Sequence, residues 1–88
     1  MASTDRRSYQ AGKAAQKGFT AAERKVFLHG YTVQWKDGGK WHPGVVVGMI
    51  HKDATGRDYI DVRNTGAATR NVAANEVTRA YPGSVRKG

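Results

Sequence analysis

Apolar and polar residues begin to alternate at Tyr31, and the alternation recurs in short stretches almost to the C-terminus. Tyr31, Val33 and Trp35 interleave with Thr32, Gln34 and Lys36, the period-two signature of a strand buried on one face. Asp37-Gly38-Gly39 follows as a hairpin turn, because glycine accepts the positive φ that tight turns require. A second strand is expected from about Trp41 to His51, with Pro43 near its start and Gly48 marking a strong bend. Lys52–Arg57 reads as the next turn and Asp58–Arg63 as strand three, with Ile60 and Val62 inward and Tyr59, Asp61 and Arg63 outward. After Asn64-Thr65-Gly66 the pattern places strand four at Thr69–Val72, one helical turn at Ala73–Glu76, and a last strand at Val77–Tyr81. Five short strands at close spacing predict a mainly β chain folded as a small barrel.

The first thirty residues follow a different rule. Residues 1–18 hold one aromatic, Tyr9, and no branched aliphatic side chain, too little apolar surface to offset the entropy of ordering. They are expected to form a flexible basic arm. Thr20-Ala21-Ala22-Glu23 then has the spacing of a capping box, and Val26, Phe27 and Leu28 supply an apolar cluster before Gly30. A short helix is expected within 19–29, docked through Phe27 or Leu28. The resulting division is arm 1–18, helix 19–29, barrel 30–82 and a basic tail 83–88 ending in Arg86 and Lys87.

Charge narrows the class of function. The chain of 88 residues has 15 Lys and Arg against 7 Asp and Glu, a formal net charge of +8. That balance favours a polyanionic partner. Six basic and two acidic residues fall in 1–29, so positive charge is about twice as dense there as in the rest. There is no cysteine, hence no disulfide and no thiolate metal site. No apolar run approaches the roughly 18 residues of a membrane span, and no secretory leader is legible, so a cytoplasmic or nucleoid-associated protein is expected.

Two stretches carry a resemblance. The run Trp35-Lys36-Asp37-Gly38-Gly39-Lys40-Trp41-His42-Pro43-Gly44 is similar to the first hairpin of Tudor domains. Asn71-Val72-Ala73-Ala74-Asn75-Glu76-Val77 resembles the segment that forms a short 3₁₀ turn before the last strand of SH3 domains. The resemblance implies an SH3-like, Tudor-like barrel, a binding module. Tudor domains that grip methylated lysine use an aromatic cage; Trp35 matches one wall, His42 stands where tyrosine is usual, and Val62-Arg63-Asn64-Thr65-Gly66 replaces the later aromatics. Similar barrels with basic strands, such as the C-terminal domain of retroviral integrases, act on DNA or RNA.

Catalytic chemistry finds little footing. Ser3, Ser8 and Ser84 all lie in terminal segments, so a serine nucleophile would lack a rigid platform. His29, His42 and His51 are too scattered for a metal triad. Asp58 and Asp61 lie three apart on a strand, on opposite faces, and cannot act as a carboxylate pair. The chain is expected to be no enzyme and to need no cofactor.

The candidate site is a basic and aromatic surface for nucleic acid, DNA before RNA, with low sequence specificity. Its cations are Arg6, Arg7, Lys13, Lys17, Arg24 and Lys25 in the arm and helix, and Lys36, Lys40, Arg57, Arg63, Arg70 and Arg79 on the barrel. Trp35, Trp41 and Tyr59 are the candidate stacking residues, with one tryptophan expected in the core and Trp41 the more exposed. Cations interleaved with aromatics neutralise phosphate and stack bases. The competing expectation is an adaptor whose aromatic hairpin docks an acidic protein.

Overall fold

A computed structural model describes residues 17–68 and 72–88. The chain is mainly β, with one short helix, α1 (Ala21–Val26), and five antiparallel strands. These are β1 (Thr32–Asp37), β2 (Lys40–Lys52), β3 (Asp58–Asn64), β4 (Val77–Ala80) and β5 (Val85–Lys87). They form one sheet in the order β4-β3-β2-β1-β5, consistent with an SH3-like barrel that stays open between β4 and β5. No helix among the described residues is long and apolar enough to cross a membrane.

The alternation read from sequence sets the faces. Val33, Trp35, Val46, Ile60, Val62, Ala80 and Val85 are buried and form the core with Phe19, Phe27 and Val72. The β1–β2 hairpin turns at Gly38 and Gly39, both at positive φ, and pairs Lys36 with Trp41. β2 is 13 residues long, and its register against β3 shifts between Val47 and His51, around Gly48 at φ 83°. Residues 40–45 of β2 pair with β1 and residues 44–52 with β3, the change of partner falling at Gly44 and Val45, while the bulge bends the β3-paired part. Gly44 is fixed by close approach: a Cβ there would collide with the Val62 and Trp35 side chains.

Thr20 caps α1, accepting from the Glu23 amide at 3.1 Å while the Glu23 carboxylate accepts from the Thr20 amide at 2.8 Å. The helix is shorter than expected and buries none of its own residues. Docking falls instead to the residues flanking it. Phe19 and Phe27 meet edge to face at 5.5 Å inside the core, whereas Leu28 is 60% exposed.

Three expectations need correction. The segment 83–88, read as a tail, contains β5, which pairs Val85 with Trp35 and Arg86 with Gln34. Pro82-Gly83 is therefore a turn between strands, closed by the Ser84 amide donating to the Tyr81 carbonyl at 2.8 Å. Val77–Tyr81, read as the last strand, is the fourth. Ala73–Glu76, read as a helical turn before the last strand, is a β-turn before β4, with Asn75 at φ 68°. Positive φ at its third position suits asparagine and ends any helical run there. Of the strand expected at Thr69–Val72, residues 69–71 lie outside the described residues and Val72 is a buried core residue outside any strand.

Candidate nucleic-acid interface

With the inward positions filled by the core, the outward positions lie on the outer face of the sheet: Gln34 and Lys36 on β1, Trp41 and His51 on β2, Tyr59, Asp61 and Arg63 on β3, Arg79 on β4, Arg86 on β5. Cross-strand register then puts cations on rings. At one end, the Arg86 guanidinium carbon sits 4.0 Å from the Trp41 ring centroid, and the Lys36 ammonium lies 5.8 Å from the same ring. Arg86 is steadied by a 3.0 Å hydrogen bond from its Nε to the Gln34 side-chain oxygen, its register partner.

At the other end four residues interlock. Arg79 lies 4.1 Å over Tyr59, Arg57 lies 4.6 Å over Tyr81, and the two tyrosine rings are 6.0 Å apart. His51 adds a third ring, 5.5 Å from Tyr59. Tyr81 foremost, and then Tyr59, raise the Arg79 pKa above its ordinary value, with a smaller contribution from Asp61, its register partner on β3. Arg57 is delivered by the β2–β3 turn, where Asp53 accepts from the Thr55 amide, the Thr55 hydroxyl and the Arg57 amide at 2.8, 2.6 and 3.0 Å. Those bonds, the Thr55 hydroxyl first, hold the Asp53 carboxyl down at about 2. The Arg57 Nε is enclosed and has no hydrogen-bond partner.

A second charged group faces inward. Asp58, fully buried at the start of β3, accepts from the Phe19 amide at 3.0 Å, from Arg24 at 2.5 Å and from Lys52 at 2.8 Å. Its own amide donates to the Lys17 carbonyl at 2.6 Å. The Lys52 hydrogen bond leads in holding the Asp58 pKa below its ordinary value, against the opposing effect of burial. This carboxylate stitches the segment before α1 to the sheet.

The twelve expected cations therefore divide. Arg57 and Arg79 stand in the cation–ring cluster, Lys36 beside Trp41, and Arg63 on the same outer surface, exposed on β3. Arg24 is committed to Asp58, and Lys17 meets Asp58 through its carbonyl while its side chain is exposed. Lys25 and Lys40 are exposed on α1 and beside the hairpin turn. Arg6, Arg7, Lys13 and Arg70 lie outside the described residues. Of the aromatics, Trp41 is half exposed and Tyr59 belongs to the cluster, but Trp35 is 2% exposed and donates its indole N–H to the Pro43 carbonyl at 3.2 Å. Trp35 is a core residue and offers no ring face to a ligand.

Arg86 and Tyr81 were not among the expected contacts. Arg86 was assigned to a tail because Pro82-Gly83 reads as a stop, and Val85-Arg86-Lys87 is too short to register as alternation. Tyr81 closes a strand in sequence, and only the turn after it reveals that its ring faces Arg57. No family model, curated protein or solved structure matches this chain.

Proposed function

We propose that this chain is a non-enzymatic nucleic-acid-binding domain that grips its ligand mainly through phosphates. DNA is the first candidate and RNA the second, with low sequence specificity because the surface is a sheet face without a recognition helix. The observation that carries this reading is the state of the outer-surface cations. Lys36 and Arg86 stand on Trp41, Arg57 and Arg79 stand on the tyrosine pair and Arg63 is exposed on β3, while both ion pairs found among the described residues use the buried Asp58. Cations held on rings rather than on carboxylates keep their full charge for a ligand. Arg6, Arg7 and Lys13 add positive charge from the N-terminal segment. A cytoplasmic or nucleoid-associated location fits such a ligand.

The Tudor-like reading of the hairpin extends to the barrel and not to a methyl-lysine cage. Trp35 is buried, and the Trp41 ring already holds two cations, which would repel a third. The adaptor reading was expected at the aromatic hairpin, where Trp35 is buried; a different surface offers a cavity of about 330 Å³ lined by Arg24, Phe27, Leu28, His29, Met49 and Ile50, with Met49 73% exposed. An acidic protein offering one apolar side chain would suit it.

A salt titration separates the two readings. If about six phosphates are contacted on duplex DNA, log K falls against log salt with a slope near −5. A flat line between low and physiological salt overturns the nucleic-acid reading.

A further inference from the structure

We infer that the preferred ligand is an unpaired strand, whose bases stack on two guanidinium-capped rings, Arg86 on Trp41 and Arg79 on Tyr59. The inference rests on the nucleic-acid reading and names the form of the ligand. A guanidinium carbon sits over each ring, 4.1 Å from the Tyr59 centroid and 4.0 Å from that of Trp41, the distance a stacked contact takes. One side of the plane is covered by the ring. Both arginines are exposed, so the other side faces outward. A guanidinium is planar, delocalised and weakly hydrated, and bases stack on it as they do on aromatic side chains.

A duplex cannot use this geometry along its length. Its bases already cover one another, so it offers a sheet its phosphates and base edges but no free base faces. For phosphate contact alone, an arginine laid on a ring gains nothing over one extended into solvent, as the exposed Lys25 and Lys40 are. The placement of the two platforms also suits a strand. Trp41 and His51, the register partner of Tyr59, are the near and far ends of β2, so the platforms are separated by at most about 33 Å of strand. A run of several nucleotides covers that distance, as in other small barrels that bind roughly 4–16 nucleotides. Arg57 on Tyr81 and Arg63 lie beside the second platform, where they meet the phosphates between stacked bases.

The test preserves charge and removes only the plane. Full-length protein and the double variant Arg79→Lys with Arg86→Lys are titrated by fluorescence anisotropy with oligothymidylate, oligouridylate and a duplex of equal length. Salt is held fixed, and the melting temperature of the variant serves as the folding control. The expected result is tighter binding of a single strand than of the duplex, with a loss of roughly tenfold in the variant on that strand and little change on the duplex. The strand bound more tightly names the preferred polymer. Equal losses on strand and duplex, or none on the strand, overturn the inference and leave phosphate binding standing. Binding of neither form at low salt overturns both.

Discussion

Arg24 and Arg79 carry the same guanidinium on the same small domain, and their partners set them apart. Arg24 ends on a fully buried carboxylate, and Arg79 ends on the face of a tyrosine. Around Asp58, cations are consumed by structure: Arg24 and Lys52 neutralise a charge that could not otherwise stay ionised inside the core. On the outer surface, rings position Arg57, Arg79 and Arg86, and among the described residues none of the three is ion-paired, although Asp61 lies opposite Arg79. Counting basic residues thus overstates the charge offered to a ligand, and the partner of each cation decides its role.

Breaking the buried side of this contrast should have the largest effect. Asp58→Asn removes the charge that holds Arg24, Lys52 and the Phe19 amide together. It should cost about 3 kcal/mol, with a fall in melting temperature of roughly 12 °C or more in a thermal scan. The pH dependence sharpens the same point. The Asp58 pKa is lowered in the folded state, so the unfolded chain binds more protons across the interval between the two values. The stability it contributes is present above the ordinary aspartate pKa of about 3.9 and is lost as pH falls through the folded value. Urea unfolding in acid should show that loss, and Asp58→Asn should remove the Asp58 part of it, leaving the part that Asp53 contributes.

A smaller, more diagnostic pair of changes exchanges the two arginines. Arg24→Gln should lower stability by about 1 kcal/mol, since the Arg24 side chain is 47% exposed and screened, and should leave nucleic-acid affinity nearly unchanged. Arg79→Gln should do the reverse, shifting the melting temperature by roughly 2 °C or less and weakening binding about threefold to tenfold. If both variants weaken binding equally, the division between structural and ligand-facing cations fails. The smallest effect is expected at Arg63. Arg63→Gln should leave the fold intact and reduce the magnitude of the salt slope by about 1.

Much of the sheet was legible because its signal is local. Alternation at Val33–Trp35 and Ile60–Val62 and the glycines of the first hairpin are read from neighbouring residues, and the capping box at Thr20–Glu23 spans only four residues. What escaped depended on distant partners. β5 is three residues long and exists as a strand because β1 offers it an edge, so its own sequence reads as a tail. Asp58 sits on the inward parity of β3, where a carboxylate contradicts the pattern, and its justification lies 34 and 39 residues away at Arg24 and Phe19. The identity of the core tryptophan followed from packing: Trp35 fills the space left by Gly44, while Trp41 adjoins the turn. Which cations rest on which rings is set by register between strands, a quantity that composition does not carry.

The short bond between the Asp58 amide and the Lys17 carbonyl has a consequence for avidity. It anchors the sixteen preceding residues one position before Tyr59, at the margin of the arginine–tyrosine cluster. Sixteen residues reach at most about 55 Å, so on the proposed function Arg6, Arg7 and Lys13 belong to the same chain segment that begins beside a polymer held at the cluster. On that proposal their encounter with it would be intramolecular, and weak individual attractions would multiply into slow release.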